Sequence, residues 1–359
     1  MPTQSEFATQ LLHWHEEVDR RLPWKEDRDP YKTWLSEIIM QQTRVAQGTP
    51  YYLKFVEAYP TIMNLANAPE GDVMKLWQGL GYYSRARNLH HAAKTVRDKF
   101  DGRFPTEYKD ILSLKGVGNY TAAAISSFAY GQEYAVVDGN VIRVLSRYLG
   151  ITDAVDHSAT QKLINEKAAQ LIKGADPAAY NQAIMDFGAT YCTPKTPGCT
   201  SCVFSEVCEA HNKGLVAGIP YKAKKIKKRT RHLHYLIVTD NSGNTIVRHR
   251  QKKDIWQSLY DYPCMEMESE KQLSAGSIEE ELLSLFGTKV TSVKFPLKKY
   301  KHILTHQTLF GQFYHVRVSE LSKITSPYII AHNSDVGSYA LPVLLTNHLT
   351  DEEGLTLFD

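Results

Sequence analysis

Apolar residues in the first part of the chain recur with the period of a helix. In these stretches they lie three and four positions apart, and connectors that contain Pro, Gly or Asn separate one stretch from the next. The stretches are 31–47, 50–59, 86–100, 121–130, 140–150, 159–174 and 179–192. The pattern predicts an all-helical region from Glu6 to about His211.

Beyond this region the pattern changes to that of strands. Residues 233–240 and 245–250 are apolar and β-branched runs on either side of a turn at 241–244, which predicts a β-hairpin. A further helix is predicted at 277–287 and a further strand at 306–318. The second region is therefore predicted to be α+β.

The change of pattern divides the chain into domains. A length of 359 residues suits about two domains, and we predict a helical domain at 1–221, a linker at 222–232 and a second domain at 233–359. Residues 222–231 carry seven basic residues and no acid. This basic segment is either a solvated connector or a contact to phosphate.

The composition is that of a soluble globular protein, with 43% hydrophobic and 23% charged residues. No apolar run reaches the length of a membrane span or of a signal peptide, so we expect a cytoplasmic protein without a membrane partner. The net charge of +3 is only mildly basic and does not by itself indicate nucleic acid.

Four of the five cysteines lie close together in the sequence, at positions 192, 199, 202 and 208. Four thiolates with this spacing can hold a [4Fe–4S] cluster or a structural zinc ion. Zinc sites more often use two short C-x2-C pairs, whereas one is present here, and disulfides are disfavoured in the cytoplasm. Cys264 lies apart and is expected to be an ordinary buried residue.

A glycine-containing turn joins two predicted helices within residues 109–130. Gly116 and Gly118 leave backbone amides uncovered at the start of the second helix, where the helix dipole favours an anion. The turn is thus a candidate phosphate site, and the alternative is a purely structural helical hairpin.

Two carboxylates are candidates for chemistry. Asp138 directly precedes a helix that begins near Asn140, so its ionised form is favoured there, although a simple N-cap would have the same sequence. Glu37 lies at the border of the apolar stripe of the 31–47 helix, where burial would raise its pKa and keep a proton available. The alternative for Glu37 is an exposed helix residue.

The turn, the aspartate and the cysteines together resemble the helix-hairpin-helix DNA glycosylases. The usual L-P-G-V-G appears here with Lys115 in place of proline, and VDGNV matches the segment of the catalytic aspartate, which implies that role for Asp138. The cysteine spacing resembles that of the endonuclease III and adenine glycosylase cluster loop. The resemblance therefore implies a [4Fe–4S] cluster in a loop at 192–208.

Residues 34–45, WLSEIIMQQTRV, narrow the resemblance to the adenine DNA glycosylases, the MutY family. This resemblance implies that Glu37 is the general acid. It also implies that the side chains of Gln42 and Tyr82 insert between the stacked bases of the DNA. The matching segment 79–89 contains Arg85 and Arg87, which we expect to contact phosphate.

Tyr120 occupies the position at which lyase-type relatives have a lysine. A lysine there forms a Schiff base with the sugar and cuts the strand, and a tyrosine cannot do so. The resemblance thus implies a monofunctional glycosylase. Tyr120 and Asn140 are expected to assist through polar contacts with Asp138 or the leaving adenine.

The second domain resembles the Nudix-like domain of the same family. Residues 255–263, IWQSLYDYP, match its W-x-G-L-W-x-F-P element with Ser258 in place of glycine, and the metal-binding run of Nudix hydrolases is absent from the sequence. Recognition without hydrolysis is expected. Leu304, Thr305 and His306 occupy the place of the family's Phe-Ser-His loop, with an aliphatic residue instead of the aromatic one.

The sequence thus predicts an all-α helix-hairpin-helix glycosylase domain with an iron–sulfur cluster loop, followed by an α+β Nudix-like domain. The predicted activity is removal of adenine paired with 8-oxoguanine or guanine in duplex DNA, by a monomer of bacterial type that joins the nucleoid when bound to DNA. The alternatives are an endonuclease III-like glycosylase and lyase, a non-catalytic damage-recognition protein and, as the weakest, a nucleotide pyrophosphatase.

Overall fold

The computed structural model describes residues 4–18, 20, 22–25, 27–224, 228–321 and 324–356. The chain forms two compact units, one from Met1–Asn67 with Asn88–Lys225 and the other from Ala68–Arg87 with Ile226–Asp359. The segment 68–87, which the predicted boundaries place in the helical domain, packs in the second unit. Of the predicted linker 222–232, residues 225–227 lie outside the described residues.

The chain is helical up to Asn212, as the periodicity predicts. The helices are α1 (Gln4–Glu16), α2 (Pro30–Met40), α3 (Val45–Ala58), α4 (Ile62–Asn67), α5 (Glu70–Leu76), α6 (Ser84–Lys99), α7 (Tyr108–Ser113), α8 (Asn119–Phe128), α9 (Gly139–Tyr148), α10 (Ser158–Leu171), α11 (Pro177–Asp186) and α12 (Glu209–Asn212). Helix α11 continues into a π-helical turn at Phe187–Tyr191. In the described part of the chain, no helix combines the length and the apolar character that crossing a bilayer requires.

The single helix predicted at 31–47 is wrong, because α2 ends at Met40 and α3 begins at Val45. Gln42, between them, has a φ of 55° in the left-handed region. No Gly or Pro marks the break in the sequence. A contact from a distant part of the chain helps to hold it, since Gln41 Nε2 donates to Thr121 Oγ1 at 3.2 Å.

The core of the first unit forms where α1, α9, α10 and α11 pack together. The ring of Phe7 lies 4.6 Å from that of Tyr148 and 4.7 Å from that of Phe204, measured between centroids. Phe7 is fully buried. This packing fixes α9, the helix that Asp138 precedes.

The second unit is built on one mixed sheet, as an α+β domain. Its strands are β1 (Arg229–Thr239), β2 (Asn244–His249), β3 (Tyr260–Asp261), β4 (Cys264–Met267), β5 (Val290–Lys294), β6 (Tyr300–Ile303), β7 (Gln307–Val318) and β8 (Tyr328–His332). The order is β3-β2-β1-β7-β5, while β4 pairs with β1, β6 with β7 and β8 with β2. Strands β1 and β7 are parallel, from Arg229 opposite Gln307 to Thr239 opposite Arg317.

Alternate residues of β7 pack under different helices, as the period of a strand requires. Tyr314 and Val316 belong to the apolar cluster of α13 (Ala275–Phe286). Phe313 stacks on His348 of α14 (Val343–Thr356), and a Cβ at Gly311 would lie 2.8 Å from Leu344 of the same helix. Gly311 therefore allows α14 to approach the sheet.

Candidate active site

Helix α2 places Glu37 in the wall of a cavity. The helix begins at Asp29, whose carboxylate accepts from Tyr31 N at 2.8 Å, and Pro30 occupies its first position. Trp34 is buried on the apolar side. Glu37 lines a cavity of about 540 Å³ in the first unit, which is large enough for a purine base.

Burial raises the pKa of Glu37 to about 7, the hydrogen bond from Tyr120 lowers it, and the charge of Asp138 raises it further. A carboxyl group with this pKa is partly protonated at neutral pH. It can therefore donate a proton and later accept one.

Tyr120 lies in the first turn of α8, and its hydroxyl donates to Glu37 Oε2 at 2.7 Å. Burial, and then the charge of Glu37, raise the pKa of Tyr120 well above 10. The phenol therefore stays neutral and orients the carboxyl group. It has no amine with which to attack a sugar.

Asp138 caps the N-terminus of α9 and is held through both oxygens. Val141 N donates to Oδ1 at 2.7 Å and Asn140 Nδ2 donates to Oδ2 at 2.8 Å. Burial raises the pKa of Asp138, and the hydrogen bonds from Val141 and Asn140 oppose that rise. The structure thus brings Glu37, Tyr120, Asp138 and Asn140 together in the first unit.

Two arginines of α9 extend this group of polar contacts, and the sequence analysis missed both. Arg143 Nη2 donates to Asn140 Oδ1 at 2.9 Å, and its Nε donates to Cys192 O at 2.8 Å. Arg147 Nη1 donates to Cys192 Sγ at 3.4 Å. The sequence shows only that these two arginines, four residues apart, share one face of the helix after Asp138, and it does not show that Cys192 is their partner.

A glycine allows the segment that carries Cys192 to approach α9. A Cβ at Gly188 would lie 2.7 Å from Asn140 Cβ and 3.1 Å from its backbone. Arg143 Nη2 also donates to Gly188 O at 2.6 Å. Residue 188 is therefore restricted to glycine by close packing beside the site.

A buried aspartate beside the cavity was also missed. Asp186 is fully buried, and its carboxylate accepts from His15 at 3.1 Å, from Lys25 at 3.2 Å and from Arg20. Burial would raise the pKa of Asp186, but the hydrogen bond from His15 and the charges of Lys25 and Arg20 lower it to about 2. Asp186 fixes the segment before α2 against α11.

The four clustered cysteines line one cavity, whose other walls include Val144, Phe187 and Phe204. None of the cysteines in the described chain forms a disulfide. Phe204 N donates to Cys202 Sγ at 3.4 Å, in addition to the contact from Arg147 to Cys192. Among the described residues, no group of three or more His, Cys, Asp or Glu side chains has the arrangement of a single-ion site.

The predicted hairpin is formed by α7, a turn at 114–118 and α8. Gly116 has a φ of 81°, and a Cβ there would lie 2.7 Å from Asn88 Cβ. Gly118 has a φ of −101° and open space around it. Lys115 and both glycines are exposed, so the amides of the turn are accessible to a phosphate.

Tyr82 and Thr305 meet in the second unit. Tyr82, with a φ of 48°, is 42% exposed, and its hydroxyl lies 2.5 Å from Thr305 Oγ1. Thr305 belongs to the tight turn between β6 and β7, which Leu304 N closes by donating to Gln307 O at 2.8 Å. His306 is exposed beside it. A non-glycine residue in the left-handed region is strained, and such strain is found at functional sites.

The structure differs from the prediction for Arg85. Arg85 is only 8% exposed, lies 5.1 Å from the Trp77 ring and 5.6 Å from the Tyr82 ring, and donates to Gly81 O at 3.2 Å. These contacts make it a support for Tyr82 rather than a phosphate ligand. Arg87 is half-buried and donates to Gln257 O at 2.6 Å.

A helical unit with a glycine hairpin and a buried Glu and Asp, together with a mixed-sheet unit, is the domain combination of a base excision DNA glycosylase. Residues 35–170 match the family model of the HhH-GPD superfamily base excision DNA repair proteins, and residues 234–350 match that of the NUDIX domain. The predicted fold class is confirmed in both units.

Individual relatives narrow the family. The adenine DNA glycosylase of Buchnera aphidicola subsp. Baizongia pistaciae is 32% identical over 85% of this chain and 84% of its own length. That of Homo sapiens is 41% identical over 58% of this chain and 40% of its own length. A solved thermostable thymine-DNA glycosylase is 32% identical with a TM-score of 0.55, over 58% of this chain and 97% of that one. The chain belongs to the adenine DNA glycosylase family and is a DNA N-glycosylase, as predicted.

Proposed function

We propose that the chain hydrolyses the N-glycosidic bond of adenine paired with 8-oxoguanine, or with guanine, in duplex DNA. The observation that carries this proposal is the buried Glu37 carboxyl group, which has a pKa of about 7. It accepts a hydrogen bond from the Tyr120 hydroxyl and lies within the electrostatic influence of Asp138. The protein would excise adenine as a monomer in a bacterial cytoplasm, from the DNA of the nucleoid.

The chemistry requires the adenine to leave the helix stack and enter the cavity lined by Glu37. Glu37 donates its proton to the base and so makes it a better leaving group. The bond to the sugar then breaks, and positive charge develops on the sugar. The fixed carboxylate of Asp138 stabilises that charge.

Water completes the reaction at the sugar. Once Glu37 has lost its proton, its carboxylate can accept one from the attacking water, while Tyr120 keeps the group in position. Tyr120 cannot form a Schiff base, so the product is an abasic site in an intact strand.

The second unit would read the base opposite the adenine. The paired hydroxyls of Tyr82 and Thr305, with exposed His306 next to them, offer donors and acceptors at a surface. Leu304 supplies apolar contact without aromatic stacking. Gln42, which is also held at a positive φ, is the proposed wedge of the first unit, and the amides of Gly116 and Gly118 are the proposed phosphate contacts.

We further propose that Cys192, Cys199, Cys202 and Cys208 hold a [4Fe–4S] cluster. The four side chains line one cavity, and four cysteine thiolates are the usual ligand set of such a cluster. The cluster would fix the loop 192–208. About four irons per chain and no zinc in the purified protein are expected, whereas one zinc per chain would contradict the cluster.

A single-turnover assay tests the activity. The substrates are duplexes with one adenine opposite 8-oxoguanine, guanine or thymine, each sampled with and without alkali. We expect adenine release from the first two and strand cleavage only after alkali. Glu37→Gln should lose at least about a thousandfold in rate, as expected for general acid catalysis combined with loss of the site's electrostatics.

Two results would contradict the proposal. Strand nicking without alkali would indicate an endonuclease III-like lyase. Tight binding without adenine release would indicate a damage-recognition protein. The control variant is Glu57→Gln, an exposed glutamate of α3, which should act at the wild-type rate.

A further inference from the structure

The path of residues 131–138 decides where the Asp138 carboxylate lies. These residues lead from α8 to α9, form no helix or strand, and end in Asp138 itself. Backbone N–H and C=O groups of such a segment have no regular ladder to pair with, and a buried group without a partner costs free energy. The side chains that bind this backbone therefore fix the position of Asp138.

A single side chain of α11 binds this backbone at two points. Asn181 Nδ2 donates to Tyr134 O at 2.8 Å, and Asn181 Oδ1 accepts from Val136 N at 2.9 Å. A carboxamide presents a donor and an acceptor side by side, so it binds the segment as one residue of a parallel neighbouring strand would. Asn181 is fully buried, which keeps water away from its amide group.

The same segment packs against the two helices of the hairpin. Val136 is buried in a small apolar cluster with residues of α8, and Tyr120 packs against that cluster. The ring of Tyr134 stacks on that of Tyr108 at the start of α7, with 4.3 Å between the centroids and 15° between the planes. These contacts fix the segment before Asp138 relative to the helix that carries Tyr120.

Helix α11 contacts the proposed excision site at other points as well. Met185 Sδ, one turn after Asn181, lies 3.9 Å from the Tyr120 hydroxyl. Gln182 of the same helix lines the cavity of Glu37. Residues three and four apart share one side of a helix. One helix therefore supports the cavity, the Tyr120 hydroxyl and the segment that ends in Asp138.

We propose that Asn181 is a positioning residue, which holds the Asp138 carboxylate in place relative to Glu37 during excision. This inference rests on the proposed function, because Asp138 is there the group that stabilises the sugar. Without Asn181, the N–H group of buried Val136 loses its partner, and the segment has to shift to find another. A misplacement of about 1 Å can lower a rate about a hundredfold.

Single-turnover rates of the full-length protein on adenine opposite 8-oxoguanine test the proposal. Asn181→Leu removes both hydrogen bonds at similar volume, and its rate should fall about a hundredfold. Its affinity for a duplex with 2′-fluoro-2′-deoxyadenosine, whose fluorine disfavours the sugar cation, should change little. Asn181→Ser keeps one hydrogen-bonding group and should lose less, and it carries the same test if the leucine variant does not fold. Asn165→Leu, at an exposed asparagine of α10, is the control and should react at the wild-type rate.

A double-mutant cycle separates positioning from a general loss of structure. If Asn181 acts through Asp138, then Asn181→Leu should have little further effect on the residual rate of Asp138→Asn. A loss of folded protein would instead lower the rate by the same factor in both backgrounds. Leu65→Ala, at a fully buried leucine of α4, is the comparison for stability, and it should lower the melting temperature without lowering the rate. Equal factors in both backgrounds, or wild-type rates for both Asn181 variants, would overturn the proposal.

Amide hydrogen exchange gives a readout that does not require activity. Peptides that cover 134–141 should exchange faster in Asn181→Leu than in the wild type, because the hydrogen bond of the Val136 amide is lost. A wild type that releases no adenine would contradict the proposed function and with it the role of Asn181 in excision. An active wild type, together with unchanged exchange over 134–141 in the variant, would contradict the role of Asn181 alone.

Discussion

At the scale of single residues, the proposed chemistry depends on a glutamate whose protonation differs from that of an ordinary surface carboxylate. Glu37 owes its pKa of about 7 first to burial, and the nearby charge of Asp138 acts in the same direction. Because the folded-state pKa lies above that of the unfolded chain, the stability linked to protonated Glu37 is complete below the unfolded pKa. It is lost as the pH rises through about 7.

This linkage predicts that Glu37→Gln stabilises the protein at alkaline pH. Between pH 5 and pH 8 the cost of ionising buried Glu37 grows by about 2 kcal/mol, and glutamine removes that cost. Urea unfolding of wild type and variant at both values measures the difference. Exposed Glu57→Gln should show no such pH dependence, and an equal shift for both variants would contradict the assigned burial.

A second residue-scale feature is Ser258, which has a φ of 67°. A residue with a Cβ is destabilised by roughly 1–2 kcal/mol in the left-handed region, and glycine avoids this strain. Glycine also loses more conformational entropy on folding, which offsets part of the gain. Ser258→Gly should therefore raise the free energy of unfolding by up to about 1 kcal/mol. A lower midpoint in denaturant would show that the Ser258 side chain contributes more than its strain.

At the scale of elements, the hairpin of α7 and α8 has two glycines with different requirements. Gly116→Ala adds a Cβ at a φ of 81° and against Asn88, whereas Gly118→Ala adds one at an ordinary φ into open space. The first change should cost about 2 kcal/mol of stability and weaken duplex binding, and the second should cost little stability. Denaturant titrations and fluorescence anisotropy with duplex DNA measure both. Equal losses of stability would contradict this distinction.

The helices and strands also show how much of the fold could be predicted from the sequence. Strong amphipathic periodicity predicts α9 and α13 to within about two residues, since their apolar faces are the ones buried in each core. The break at 41–44 could not be predicted, because no local Gly or Pro marks it and the contact that helps to hold it comes from the distant Thr121. The two-residue strand β3 is too short to show any period.

The functional residues also fall into two groups, those that a local sequence motif predicts and those that only the folded structure reveals. Glu37, Asp138 and the cysteines lie in local motifs that a single sequence displays. The roles of Arg143 and Asp186 come from partners far along the chain, at Cys192 and at His15, which no local pattern reveals. Arg85 was misassigned because its burial under Tyr82 arises from the packing with Trp77.

At the scale of the whole molecule, the chain carries the proposed excision site in one unit and the proposed base-reading turn in the other. Segment 68–87 belongs to the second unit and is fixed there, since Lys75 Nζ donates to Tyr339 O at 3.0 Å and Gln78 Oε1 accepts from Leu341 N at 3.1 Å. Tyr82 thereby stays beside Thr305.

This arrangement predicts a selective effect of Tyr82→Phe, which keeps the ring and removes the hydroxyl. The rate on adenine opposite 8-oxoguanine should fall several-fold, which corresponds to the free energy of about one hydrogen bond. The rate on adenine opposite guanine should change less. Single-turnover rates on both duplexes give the ratio. Tyr221→Phe, at a tyrosine that is 53% exposed, is the control. An equal fall in rate on both substrates would show that the Tyr82 hydroxyl does not distinguish 8-oxoguanine from guanine.

The central claim, that Glu37 supplies the proton for excision, is tested most directly by the pH dependence of the single-turnover rate on adenine opposite 8-oxoguanine. With a pKa of about 7 for Glu37, the rate should be constant at low pH and fall about tenfold per pH unit above neutrality. Glu37→Gln should leave a slow residual rate that lacks this fall. A wild-type profile that is flat from about pH 6 to 9, or the same fall in Glu37→Gln, would contradict the claim.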